Sequence, residues 1–232
     1  MTFMAKQCVS QNDCASLHGT LQHICFMYQD ACSTLLVLSQ FLSKFPNNFV
    51  LNHIPCVVLN DLDLLQACLM CPSVTCSLEL HVCIDPNLHM DASSSFGVRF
   101  VIGSCYASWQ LIKFWACEGQ DISWAESIAL ELAIYWLIQQ DYRDANITVH
   151  SDNTGVIGAF SNSHSCNPAH NNCIHYIMSS LIPANVTISP EFITSGENLA
   201  DPVSHGMILC YRSHIDCTYP LPADLDLWLV PI

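Results

Sequence analysis

The chain has 232 residues, 51% of them hydrophobic and only 11% charged, which supplies ample core material and argues against disorder. Its net charge of −14 works against a firm grip on nucleic acid, because Lys and Arg contacts to phosphate supply most of that affinity. No apolar run reaches bilayer-crossing length and Met1 to Gln7 carries no signal-peptide core, so an intracellular protein, cytoplasmic or nuclear, is expected.

Residues 1–80 read as a helical appendage. Leu17 to Tyr28 and Ala31 to Phe45 have helical patterns, the second stopped by Pro46-Asn47-Asn48, and Leu59 to Met70 is a third candidate. Cys68, Cys71, Cys76 and His81 have the spacing of a small zinc knuckle with its last two ligand types exchanged. The loop has no glycine and its intervening residues are largely apolar, so cysteines on a helix and linker are the simpler reading. His164, Cys166, His170, Cys173 and His175 form a second cluster read the same way.

From residue 84 to 210 the pattern sharpens. Leu88, Met90 and Ala92 alternate with Asn87, His89 and Asp91 in a first strand. Ser93-Ser94-Ser95 turns the chain into a second strand at Gly97 to Gly103, and Tyr106 to Phe114 is a third. Trp124 to Leu137 is a helix apolar on nearly every side, which places it in a core. Ser123 is its expected N-cap, and Glu126 lies at the offset of a capping box, which is one account of that carboxylate. Ile147, Val149 and Ser151 mark a fourth strand, and Thr154 to Phe160 a short helix. Asn167-Pro168 opens a helix with Pro183 beyond its end, and Val186 to Ile193 is a fifth strand, at an edge or bulged at Pro190. Asp201-Pro202 starts a last helical turn, and residues 211–232 form a tail.

Four carboxylates fall at strand ends and helix starts: Asp91, Glu126, Asp152 and Asp201. Asp152-Asn153 is a good turn before a helix and Asp201 a good N-cap, so each has a local explanation. Jointly they point elsewhere. Strand ends in an α/β sheet open onto a crevice, and carboxylates converging there repel one another unless cations neutralise them. Hard oxygen ligands suit magnesium or manganese.

The ordered set Asp, Glu, Asp, Asp on a three-strand meander, helix, strand and final strand resembles the ribonuclease H family. Met90-Asp91-Ala92-Ser93, Ala125-Glu126, Ser151-Asp152-Asn153-Thr154 and Asn198-Leu199-Ala200-Asp201-Pro202-Val203-Ser204 resemble the ribonuclease H region of fungal retrotransposon reverse transcriptases. Residues 10–75 look like a worn remnant of the preceding polymerase thumb or connection. The resemblance implies a ribonuclease H-like α/β fold, with a five-stranded mixed sheet in the order three, two, one, four, five. It also implies an endonuclease that hydrolyses the RNA strand of RNA–DNA hybrids with two Mg2+ or Mn2+ ions. Asp91, Glu126, Asp152 and Asp201 would be both catalytic residues and metal ligands; Glu126 is preferred to Glu131 because the family's glutamate lies in the helix's first turn.

Charge argues against the substrate. Residues 84–210 hold twelve carboxylates against Arg99, Lys113 and Arg143, a net −9. A second reading is therefore a non-catalytic ribonuclease H-like remnant that serves as a nucleic-acid or protein interaction module. Arginine occurs only three times, against 15 cysteines and 11 histidines. Single C-to-T changes at CG-type arginine codons would produce that imbalance, so many Cys and His positions read as former arginines. Disulfides are not expected.

Overall fold

The computed structural model describes residues 3–27, 29–70, 82–117, 120–207, 213–215, 221 and 223–231. Cys71, Cys76 and His81 of the candidate zinc set lie outside the described residues. No described helix is long and apolar enough to cross a membrane.

The first seventy residues close around their own core. Strand β1 (Cys8–Ser10) pairs antiparallel with β2 (Leu51–His53), and the helices are α1 (Gln11–Met27), α2 (Leu35–Ser43) and α3 (Cys56–Met70). Val9, Leu38, Phe41, Val58 and Leu65 are among the side chains buried together there. Helix α1 begins six residues before the expected start, because Asp13 in its first turn accepts from the Ser10 backbone N–H and from Lys6 Nζ at 2.8 Å. Residues Gln29–Thr34 are a 3-10 helix rather than the start of α2.

The second unit is built on one mixed sheet of seven strands. The chain runs β3 (Val82–Ser93), β4 (Gly97–Ile102), β5 (Cys105–Leu111), α4 (Ile122–Gln139), β6 (Ala145–Ser151), α5 (Thr154–Ser161), α6 (Pro168–Ala184), β7 (Val186–Phe192), α7 (Asp201–Ser204), β8 (Ser213–His214), α8 (Ala223–Asp226) and β9 (Leu229–Pro231). In space the order is β7-β6-β3-β4-β5-β8, with β9 also paired to β5. Strands β3, β4 and β5 are antiparallel neighbours; β6 runs parallel to β3, and β7 parallel to β6. The two strands beyond the expected five come from the region read as a tail. Each is two or three residues long and has no periodicity of its own.

Gly97 makes the turn from β3 into β4 possible. It has φ +95°, and a Cβ there would collide with the Trp109 carbonyl on β5. Helix α4 packs on β3, β4 and α6, and twelve of its residues are buried, Ile128, Leu130, Leu132, Ile134 and Leu137 among them. The alternation in β3 is not an inside–outside alternation. Leu88, Met90 and Ala92 face the α4 core, while His89 and Asp91 are buried as well. The reason is a second, small apolar cluster of Val101, Ala200 and Val203, through which the segment around α7 covers the opposite face. Pro183 lies inside α6, one residue before its end, and the left-handed Asn185 (φ 54°) closes the helix. Strand β7 is the edge strand that Pro190 suits. The two units touch where the buried Asn171 Nδ2 donates to the Ser33 carbonyl at 2.9 Å.

None of the ten cysteines with described sulfurs is in a disulfide. Titration of denatured protein without reductant is therefore expected to find nearly all fifteen thiols. A count several pairs short would overturn the free-thiol reading.

Candidate acidic site

Parallel pairing of β3 and β6 aligns His89 with His150. Two residues further on, the same register carries Asp91 opposite Asp152, just past the end of β6. The imidazoles beneath them stack with ring centres 4.9 Å apart. The Leu199 N–H donates to His89 Nδ1 at 3.4 Å, so the proton of His89 sits on Nε2 and faces Asn87 Oδ1 at 3.1 Å. On the other side, His150 Nε2 lies 3.2 Å from Asp85 Oδ1.

The local explanations for the carboxylates do not hold. Helix α4 is capped by Asp121, whose Oδ1 accepts from the Trp124 N–H at 2.9 Å. Ser123 therefore lies inside the first turn, where its Oγ accepts from Asn153 Nδ2 at 3.1 Å, and no capping box with Glu126 forms. The box in this region is made by Thr194 and Glu197 instead. Helix α5 is capped by Asn153, not Asp152: Asn153 Oδ1 accepts from Gly155 N and Val156 N. Asp201 is the first residue of α7, after the Ala200 cap position, and its side chain caps nothing. It lies 3.4 Å from His205 Nε2.

Freed of those duties, Asp91 feels the charges of Asp152 and Asp201, and Glu126 those of Asp91, Asp152 and the cap residue Asp121. Asp91 is 8% exposed and its pKa is pushed up to about 6, first by burial, against a hydrogen bond from Ser204, and then by the charges of Asp152 and Asp201. Glu126 is 6% exposed and is pushed up to about 8, first by burial, against a hydrogen bond from Asn153, and then by Asp91 and Asp152. Its Oε2 is buried without a hydrogen-bond partner. Such an oxygen costs roughly 1–3 kcal/mol unless something binds it. Arg99 stands opposite Asp91 on β4, but its guanidinium donates to the Phe96 carbonyl at 2.7 Å.

The chain matches no family model, no curated protein and no solved structure. The acidic site therefore has to be judged on its own chemistry. Among the described residues, no three His, Cys, Asp or Glu side chains stand at coordination distance from a common point. The donor set is nevertheless all oxygen, its two buried acids each feel the charge of other members, and it includes an orphaned buried carboxylate oxygen. That combination fits hard divalent cations better than a neutral ligand or an anion. Glu131, the other acid of α4, is fully buried and accepts from Tyr135 Oη at 2.8 Å; no carboxylate of the site is among its named partners.

Two residues outside the sequence-derived set hold the acids in place. Asn153 donates to both Ser123 and Glu126. Asn198, 3% exposed, donates from Nδ2 to Asp152 Oδ1 and to the Met90 carbonyl, both at 3.1 Å. Asn198 lies three residues before Asp201 in the sequence, yet its side chain braces Asp152 instead. Nothing local pointed to its partners.

Proposed function

We propose that Asp91, Glu126, Asp152 and Asp201 hold two Mg2+ or Mn2+ ions. On this reading the chain is a ribonuclease H-like nuclease of retrotransposon origin that hydrolyses the RNA strand of RNA–DNA hybrids. The observation that carries the reading is Glu126: a buried carboxylate with an unpartnered oxygen, beside Asp91 and Asp152, with no capping role. The strand order β5-β4-β3-β6-β7, with α4 against its centre, supports the ribonuclease H-like assignment of the sheet.

Bound cations would supply activation of the attacking water and neutralisation of the leaving oxygen. The chain's own part is positional. Asp91 is fixed on the central strand and Glu126 on a helix buried in the core, so two ligands sit on rigid elements, while Asp152 lies just past the neighbouring strand. Burial around Asp91 and Glu126 excludes water and strengthens every charge interaction at the site. Asp201, half exposed beside His205, is the one acid on a short helical turn.

One observation favours the second reading, a non-catalytic remnant that serves as an interaction module. Arg99 is buried, donates to the Phe96 carbonyl and faces the charge of Asp91. Arg143 donates to the carbonyls of Ile138 and Tyr142 and lies 3.7 Å from Asp141. Lys113 alone among the strong bases of residues 84–210 is exposed without such a commitment, too little for a phosphate grip. Incubating a labelled hybrid with the protein at low salt, with Mg2+ or Mn2+, decides between the two. RNA-strand cleavage that disappears in Asp152→Asn supports the nuclease; intact RNA with both metals leaves the remnant.

A further inference from the structure

Three of the four segments that carry the acids are far apart in sequence, and one side chain joins them. Asn198 Nδ2 has two hydrogens. One goes to the Met90 carbonyl, next to Asp91 on β3, and the other to Asp152 Oδ1 beyond β6. Asn198 Oδ1 accepts from the Ala200 N–H at 3.1 Å, in the turn that delivers Asp201. The Asn198 backbone N–H is also satisfied, by the Thr194 and Ser195 carbonyls. The orientation of the amide is unambiguous, because a carbonyl and a carboxylate can only accept and a backbone N–H can only donate.

We infer that Asn198 is a positioning residue which sets the place of Asp152 relative to Asp91 and Asp201, and so sets cation affinity. The inference rests on the acidic residues being the cation site proposed above. A residue needed only to tie down the turn could satisfy Ala200 N and a main-chain carbonyl; the bond to Asp152 exceeds that need. Asp152 is half exposed and makes no bond to its own helix cap, so Asn198 is the restraint that keeps its carboxylate from turning out to solvent. Asparagine is the side chain that can do this. Aspartate would set an acceptor against two acceptors, and a hydroxyl has one hydrogen for the two bonds. Partners that orient a metal's ligands typically matter 10- to 100-fold in affinity.

The test uses the full chain and Mn2+ alone, titrated into wild type, Asn198→Ala and Leu199→Ala, with free Mn2+ followed by electron paramagnetic resonance and folding by circular dichroism. Leu199→Ala loosens the same turn through its apolar packing and touches no carboxylate. Asn198→Ala should bind Mn2+ about tenfold more weakly or worse, while Leu199→Ala binds as wild type does. If Asn198→Ala does not fold, Asn198→Ser, which keeps one donor, should show a smaller loss in the same direction. Equal affinity in wild type and the folded Asn198 variant overturns the positioning role and leaves the acidic site standing. No Mn2+ binding by wild type overturns the site itself, and the positioning role with it.

Discussion

Glu126→Gln is expected to stabilise the cation-free protein at pH 7 by about 2 kcal/mol, a rise of roughly 4–8 °C in melting temperature for a chain of this size. Folding places this carboxyl where its charged form is disfavoured, first by burial and then by Asp91 and Asp152. At neutral pH the folded protein therefore has to hold a proton that the unfolded chain would release. Glutamine keeps the shape and an acceptor for Asn153, and its NH2 gains the neighbouring carboxylates as partners where Oε2 now has none. The same change should abolish stabilisation by Mg2+ and any hybrid cleavage. Were Glu126 simply part of the helix start, glutamine would serve as well and the melting temperature would stay put. An unchanged or lower value under EDTA, by calorimetry, would sink the strained-site account.

Stability in EDTA should fall by about 5 kcal/mol between pH 5 and pH 8, and Mg2+ should restore part of it. The sign follows from two raised carboxyl values. Asp91 is near 6 when folded against 3.8 unfolded, and Glu126 near 8 against 4.5. The folded state keeps these protons longer, so the full contribution is present below the unfolded values and is lost as pH rises through 6 and then 8. Cations compete with the same protons. Their benefit should be slight at pH 5 and largest at pH 8, where a concentration ten times the dissociation constant adds about 1.4 kcal/mol. Thermal melts at four pH values, with and without Mg2+, would show the two curves diverging upward in pH; parallel curves would count against a cation site.

Much of the central architecture was legible because its signals are local. A helix apolar on all sides, Trp124 to Leu137, can only be a core helix, and α4 is one. Alternation in Ile147, Val149 and Ser151 matches the buried positions of β6. The order of the four acids along the chain could be read, but not every place: α4 starts at Ile122, so Glu126 is its fifth residue rather than a member of its first turn.

Other features depended on neighbours distant in sequence. Asp121 and Ser123 are both competent caps for α4; Asp121 is the one that caps, while Asn153, thirty residues on, donates to the Ser123 hydroxyl. The two-sided burial of β3 needed the α7 segment on its second face, and strands of two or three residues carry no period to read. What the sequence alone determined, then, is which residues are charged, which are apolar, and in what order the elements bearing them occur. Only the tertiary structure decided that Asp152 is held by Asn198, that Arg99 is buried inside the sheet, and that one oxygen of Glu126 is left buried without a partner. The physical reason is that propensity and periodicity act over a few residues, whereas desolvation and charge repulsion depend on which side chains the completed sheet brings together.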